Sequence, residues 1–114
     1  MPNYDPLFNI QGRTAIVTGA SAGLGVMFAK VLAERGANVV LTARRVERLA
    51  EVEKAITDAG GTAMSVACDV GESDQVANMV VAAVSRFGRI DILVNNAGIA
   101  DDGGPVPERL PNDL

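Results

Sequence analysis

Four short β-rich runs recur along the chain at a nearly constant interval, and that rhythm limits the fold more than any other feature. The runs are Thr14–Val17, Val39–Thr42, Ala63–Ala67 and Ile90–Val94, and their starts lie 25, 24 and 27 residues apart. A parallel strand–helix–strand unit takes roughly 30 residues, so each gap has room for one crossover helix. The runs are almost continuously apolar rather than alternating, which suits strands covered on both faces of a parallel sheet.

Helical patterns fill the gaps. Val76, Met79, Val80, Ala83, Val84 and Phe87 recur at the spacing of one helix face. Val46, Leu49, Val52 and Ile56 form a second stripe, flanked by Glu47, Arg48, Glu51 and Lys54. The segment Val26–Arg35 is apolar almost all round until Glu34, which predicts a helix packed into the sheet. Gly36, Gly60–Gly61 and Gly88 stand where these helices should stop. The tail Asp101–Leu114 holds Gly103, Gly104, Pro105, Pro107 and Pro111 and reads as a loop. One compact unit is expected from 114 residues.

Composition narrows the partners. With 48% apolar and 21% charged residues, the chain reads as globular. A net charge of −4, no Trp and a single Tyr disfavour nucleic acid, which asks for basic surface and stacking rings. No run of roughly 18 apolar residues predicts a membrane span. Met1–Ile10 carries Pro2, Asp5 and Pro6 and no basic stretch before an apolar run, so no signal peptide is expected. One cysteine, Cys68, cannot pair within the chain, and a reducing cytoplasm is the simplest expectation. The absence of histidine removes the commonest metal ligand and general base, and no metal site is expected.

The strongest local signal follows the first strand: Thr18-Gly19-Ala20-Ser21-Ala22-Gly23-Leu24-Gly25. A glycine-rich turn from a strand into a helix aims backbone N–H groups and the positive end of the helix dipole at one spot, a seat for phosphate. The spacing departs from Gly-x-Gly-x-x-Gly, and glycine also serves tight turns for their own sake. No Gly-Lys-Ser/Thr follows, which excludes the phosphate loop of nucleotide triphosphatases. In dinucleotide folds an acid at the end of the second strand binds the ribose 2′-hydroxyl. Here Val39–Thr42 is followed by Ala43-Arg44-Arg45. Guanidinium groups suit a 2′-phosphate, so NADP(H) is the expected cofactor, with NAD(H) the lesser one. Arg44 is the first contact expected and Arg45 the second; a solvated pair at a helix start is the plain alternative.

At this point the chain resembles the short-chain dehydrogenase/reductase family. Four features match in order: Gly12–Ala20 as the opening strand, Thr18–Gly25 as Thr-Gly-x-x-x-Gly-x-Gly, Cys68-Asp69-Val70 after the third strand, and Asn95-Asn96-Ala97-Gly98 after the fourth. The resemblance covers residues 7–100 and implies the N-terminal portion of a Rossmann-type, doubly wound parallel α/β sheet, four strands in the order 3-2-1-4 with three helices. It implies cofactor contacts from Gly19, Ser21, Ala22, Gly23, Leu24 and Gly25 at the pyrophosphate. It also implies that Asp69 accepts a hydrogen bond from the adenine amino group and that Val70 supplies a backbone contact. Asn95 would tie the central strands together, and Ala97 and Gly98 would lie against the cofactor ribose.

The family's proton chemistry rests on a serine and on a Tyr-x-x-x-Lys pair, with a helix asparagine completing a relay. None of these is identified here: the one tyrosine is Tyr4 and residue 8 is Phe8, while Asn112 lies in the proline-rich tail. The resemblance therefore implies the cofactor-binding half of an oxidoreductase that moves hydride between nicotinamide and a small carbonyl or secondary alcohol. The whole protein is expected to form a homodimer or homotetramer, and the 114 residues alone to be inactive. The alternative is a module that holds a dinucleotide and performs no reaction. A methyltransferase on a related sheet is opposed by Ala43-Arg44, where an acid is wanted, and leaves Asn95–Gly98 without a purpose. A fourth strand at the sheet edge would also expose apolar surface beside helix Val76–Phe87.

Overall fold

The structure, a computed structural model, describes residues 10–96. Within them strands and helices alternate: β1 Thr14–Thr18, α1 Gly23–Glu34, β2 Asn38–Ala43, α2 Val46–Asp58, β3 Thr62–Ala67, α3 Ser73–Phe87 and β4 Ile92–Val94. All four strands are parallel and lie in the order β3-β2-β1-β4. The expected Rossmann-type topology is therefore the one observed. Thr18 pairs with Thr42, Thr42 with Val66, and Val17 with Val94, so the C-terminal ends of the strands are level.

Two separate cores sandwich the sheet. On one face α1 and α2 pack Ala29, Ala33, Leu49, Val52 and Ile56 onto Val17, Val39, Leu41 and Ala63. On the other, α3 packs Met79 and Ala83 onto Ile16, Val40 and Cys68. A right-handed crossover dictates this split. The chain moves one way from β1 to β3, then reverses to place β4 on the far side of β1, and the reversal carries α3 to the opposite face. That reversal point, between β1 and β4, is where open α/β sheets bind ligands.

Three local readings change. First, α1 starts at Gly23 rather than near Val26, because the helix begins inside the glycine turn itself. Its sheet-facing residues are small (Gly25, Ala29 and Ala33), which lets the helix axis come close. The large residues Leu24, Met27, Phe28 and Val31 point outward, so α1 is less wrapped than its all-round apolarity suggests.

Second, β4 is three residues long and starts at Ile92, not Ile90. Asp91 takes over the first rung of the ladder. Its amide donates to the Thr14 carbonyl at 2.9 Å, and its Oδ2 accepts the Thr14 N–H at 2.9 Å. Ile90 instead packs beside α3. Third, β1 and β2 each extend further than their apolar cores, to Thr18 and Ala43. Among the described residues β4 lies at an edge of the sheet, as expected, and Leu93 of β4 and Val80 and Val84 of α3 are exposed.

Candidate cofactor site

The residues singled out from the sequence gather at the C-terminal edge of the sheet. Gly19 follows β1, Arg44 and Arg45 follow β2, Asp69 and Val70 follow β3, and Asn95 follows β4. Ser21, Ala22, Gly23, Leu24 and Gly25 run from the turn into the first helical residues of α1. Ala97 and Gly98 lie outside the described residues, as do Tyr4 and Asn112.

The turn is built by glycines with two distinct jobs. Gly19 and Gly23 have φ of 64° and 56°, the left-handed region that a side chain disfavours. Gly25 is needed for space. A Cβ there would fall on the Gly19 carbonyl oxygen, 2.8 Å from the Gly19 carbonyl carbon and 2.9 Å from Asn96 Nδ2. The N-cap of α1, Ala22, makes no side-chain cap bond, and the first turn contains no acid. The first N–H groups and the positive end of the dipole therefore keep their full attraction for an anion.

The turn is fastened from both neighbouring strands. The Ala20 amide donates to the Thr42 carbonyl at 3.1 Å, tying it to β2. From the β4 side, Asn96 Nδ2 donates to the Gly19 carbonyl at 3.2 Å and the Asn96 amide donates to Thr18 Oγ1 at 2.8 Å. Thr18 Oγ1 in turn faces the Val94 carbonyl at 3.3 Å and Asn95 Oδ1 at 3.2 Å, and its one proton can serve either. Asn96 is only 7% exposed, while Asn95 is exposed. Both asparagines thus touch the end of β1, and the one that grips the glycine turn is Asn96. The paired asparagines are a visible signal, yet nothing in their order distinguishes the two.

Arg44 and Arg45 are exposed, and Arg45 is the N-cap of α2. Cations there are opposed by the dipole of α2, and an anion bound beside them would offset that cost. Asp69 is half-buried. Its Oδ1 accepts the Gly71 N–H at 2.9 Å, and its own amide donates to Gln75 Oε1 at 2.8 Å. Val70 beside it is exposed.

At the opposite edge of the sheet Asp91 gathers a second charged group, also not legible from motif or spacing. Arg89 donates to it through Nε and Nη2 at 2.8 Å, and Arg13 Nη1 lies 3.4 Å away. The Arg89 bonds first and the Thr14 N–H second hold the Asp91 carboxyl below its ordinary range. A cleft of about 490 Å³ between the C-terminal ends of α1 and α2 also lies at that edge. Its charged lining residues, Lys30 and Glu34, are exposed, and it shares no residue with the glycine turn.

The family model for short chain dehydrogenase matches residues 13–112. The chain belongs to the short-chain dehydrogenase family. Cis-4-hydroxycyclohexanecarboxylate dehydrogenase of Sinomonas cyclohexanicum is 45% identical over 96 residues, covering 84% of this chain and 38% of the relative. A metagenomic short-chain oxidoreductase solved in complex with NADP is 47% identical with a TM-score of 0.76, covering 92% of this chain and 48% of that one. A short-chain dehydrogenase/reductase from Burkholderia phymatum solved in complex with NAD is 32% identical with a TM-score of 0.73, covering 75% of this chain and 31% of that one. The chain spans about two fifths of the length of the curated relatives it matches. Among the described residues, no helix is long and apolar enough to cross a membrane.

Proposed function

We propose that this chain holds a nicotinamide dinucleotide, NADP(H) in preference to NAD(H), for a short-chain dehydrogenase/reductase acting on a small carbonyl or secondary alcohol. The observation that carries the reading is the uncapped, acid-free N-terminus of α1 beside two arginines at the end of β2. The turn residues Gly19 and Ser21–Gly25 seat the pyrophosphate through backbone N–H groups. Arg44, and secondarily Arg45, meets the 2′-phosphate, where an acid would repel it. Asp69 reads the adenine amino group, and Val70 adds a backbone contact. Asn95 supports the strand ends, and Ala97 and Gly98 lie along the ribose.

The bound cofactor supplies the hydride chemistry. The part of these residues is to fix its position and orientation. Proton transfer falls to a serine and a Tyr-x-x-x-Lys pair, and no Tyr-x-x-x-Lys occurs among these 114 residues. The whole enzyme is a cytoplasmic homodimer or homotetramer in this reading.

Titrating the natural protein with NADP⁺ and NAD⁺ tests it, with NADP⁺ binding the more tightly. Arg44→Ala should cost NADP⁺ affinity by about 10- to 100-fold, the worth of charge-assisted hydrogen bonds, and leave NAD⁺ nearly unchanged. Equal wild-type affinities, or an equal loss for both dinucleotides in the variant, would remove the phosphate role of Arg44.

A further inference from the structure

We propose that Gln75 is a positioning residue for the adenine end of this site, setting base selectivity by holding Asp69 in place. The inference rests on the dinucleotide reading above. It starts from an unusual use of a helix N-terminus. Gln75 is the third residue of α3, whose N-cap is Glu72. A glutamine there normally returns to the amide of the N-cap residue. Here the Glu72 amide is already taken by the Asp69 carbonyl at 2.9 Å. Gln75 Oε1 reaches past it and accepts the Asp69 amide at 2.8 Å. The side chain thus serves the loop after β3 rather than the end of its own helix.

Nearly every polar group of Asp69 is then committed to one geometry. Its amide is held by Gln75, its carbonyl by Glu72, and its Oδ1 by the Gly71 N–H at 2.9 Å. Upstream, the Cys68 amide donates to the Ala43 carbonyl at 2.9 Å and moors the loop to β2. Gly71 contributes by its bareness: a Cβ there would press to 3.3 Å from Asp69 Oδ1. Among the described residues Oδ2 has no hydrogen-bond partner. An ionised carboxylate offers only acceptors, so this oxygen selects a ligand that donates, such as the exocyclic amine of adenine. Of the bonds that fix its direction, the one made by a replaceable side chain outside the loop is that of Gln75.

The test compares NADP⁺ with nicotinamide hypoxanthine dinucleotide phosphate, whose base carries a carbonyl in place of that amine. The natural wild-type protein should bind NADP⁺ about tenfold or more tightly than the analogue. Gln75→Met keeps the length and removes the acceptor; it should shrink the ratio by about fivefold through weaker NADP⁺ binding, with the analogue little affected. Gln75→Glu keeps an acceptor and should keep the ratio. A Met variant that retains the wild-type ratio or loses both dinucleotides equally overturns the proposal. So does a Glu variant that behaves like Met, or a wild type that binds both dinucleotides equally. A wild type that binds neither defeats the dinucleotide reading itself, which separates the two failures.

Discussion

Replacing Gly25 by alanine tests how tightly the phosphate turn is built. The added Cβ would collide with the carbonyl of Gly19 and with Asn96 Nδ2, 2.9 Å away. Neither obstacle is the free end of a flexible side chain. The carbonyl belongs to the turn, and the amide is held at the Gly19 oxygen. Overpacking of this kind costs about 1–3 kcal/mol. Losing the Asn96–Gly19 bond adds about 1 kcal/mol. Alanine's better helix propensity returns about 1 kcal/mol. The net loss of about 1–3 kcal/mol corresponds to a Tm lowered by roughly 4–20 °C in a domain of about 100 residues and by about half as much in one of about 150–250. Dinucleotide binding should weaken with it, because the N–H groups that face the ligand move with the turn.

Gly23 is the control. Its φ is 56°, but a Cβ there meets nothing within 4 Å. Asparagine tolerates that conformation, so Gly23→Asn should melt close to wild type, whereas Gly25→Asn should melt lower than Gly25→Ala. Thermal unfolding by circular dichroism and dinucleotide titration, both on the natural protein, measure the two effects. A Gly25→Ala variant melting within about 2 °C of wild type would refute the clash argument. So would a Gly23→Asn variant as damaged as Gly25→Asn.

Two further outcomes are expected. The Asp91 carboxyl, held low chiefly by Arg89 and then by the Thr14 N–H, stabilises the fold above its ordinary pKa of 3.8, and that stabilisation is lost as pH falls through its depressed folded value. Asp91→Asn should therefore lower Tm at pH 7, with the gap to wild type closing in acid below about pH 4; a gap constant down to pH 2 would show that the charge is immaterial. Purified as 114 residues, the chain should show no turnover with carbonyl substrates and NADPH. Clear activity would place the proton chemistry on residues already present.

Much of the architecture was legible because it follows from general rules. Continuously apolar runs mark buried parallel strands, and the right-handed crossover confines them to few arrangements. Of the Val46, Leu49, Val52 and Ile56 stripe, for instance, the last three are the buried face of α2 as their spacing predicts, whereas Val46 at the helix start is exposed. Boundaries set by a single polar side chain were not legible. Ile90 has the composition of a strand residue, but Asp91 intercepts the first rung through the Thr14 amide. The outward face of α1 was hidden for a different reason: Leu24, Met27 and Phe28 are as apolar as any core residue, and only the need for Gly25, Ala29 and Ala33 to approach the sheet turns them away.

By itself the sequence determined the alternation of elements and the chemical character of the sheet's C-terminal edge. These depend on periodicity, turn residues and charge, all of which are local. The tertiary structure decided which groups hold that edge in shape. Asn96 reaches Gly19 and Thr18 across 77 and 78 positions of chain. Gly25 is irreplaceable because of a carbonyl in the preceding turn, and Gln75 serves a loop rather than its helix. Such contacts arise only when strands from distant parts of the chain lie side by side, so their partners cannot be read from spacing along it.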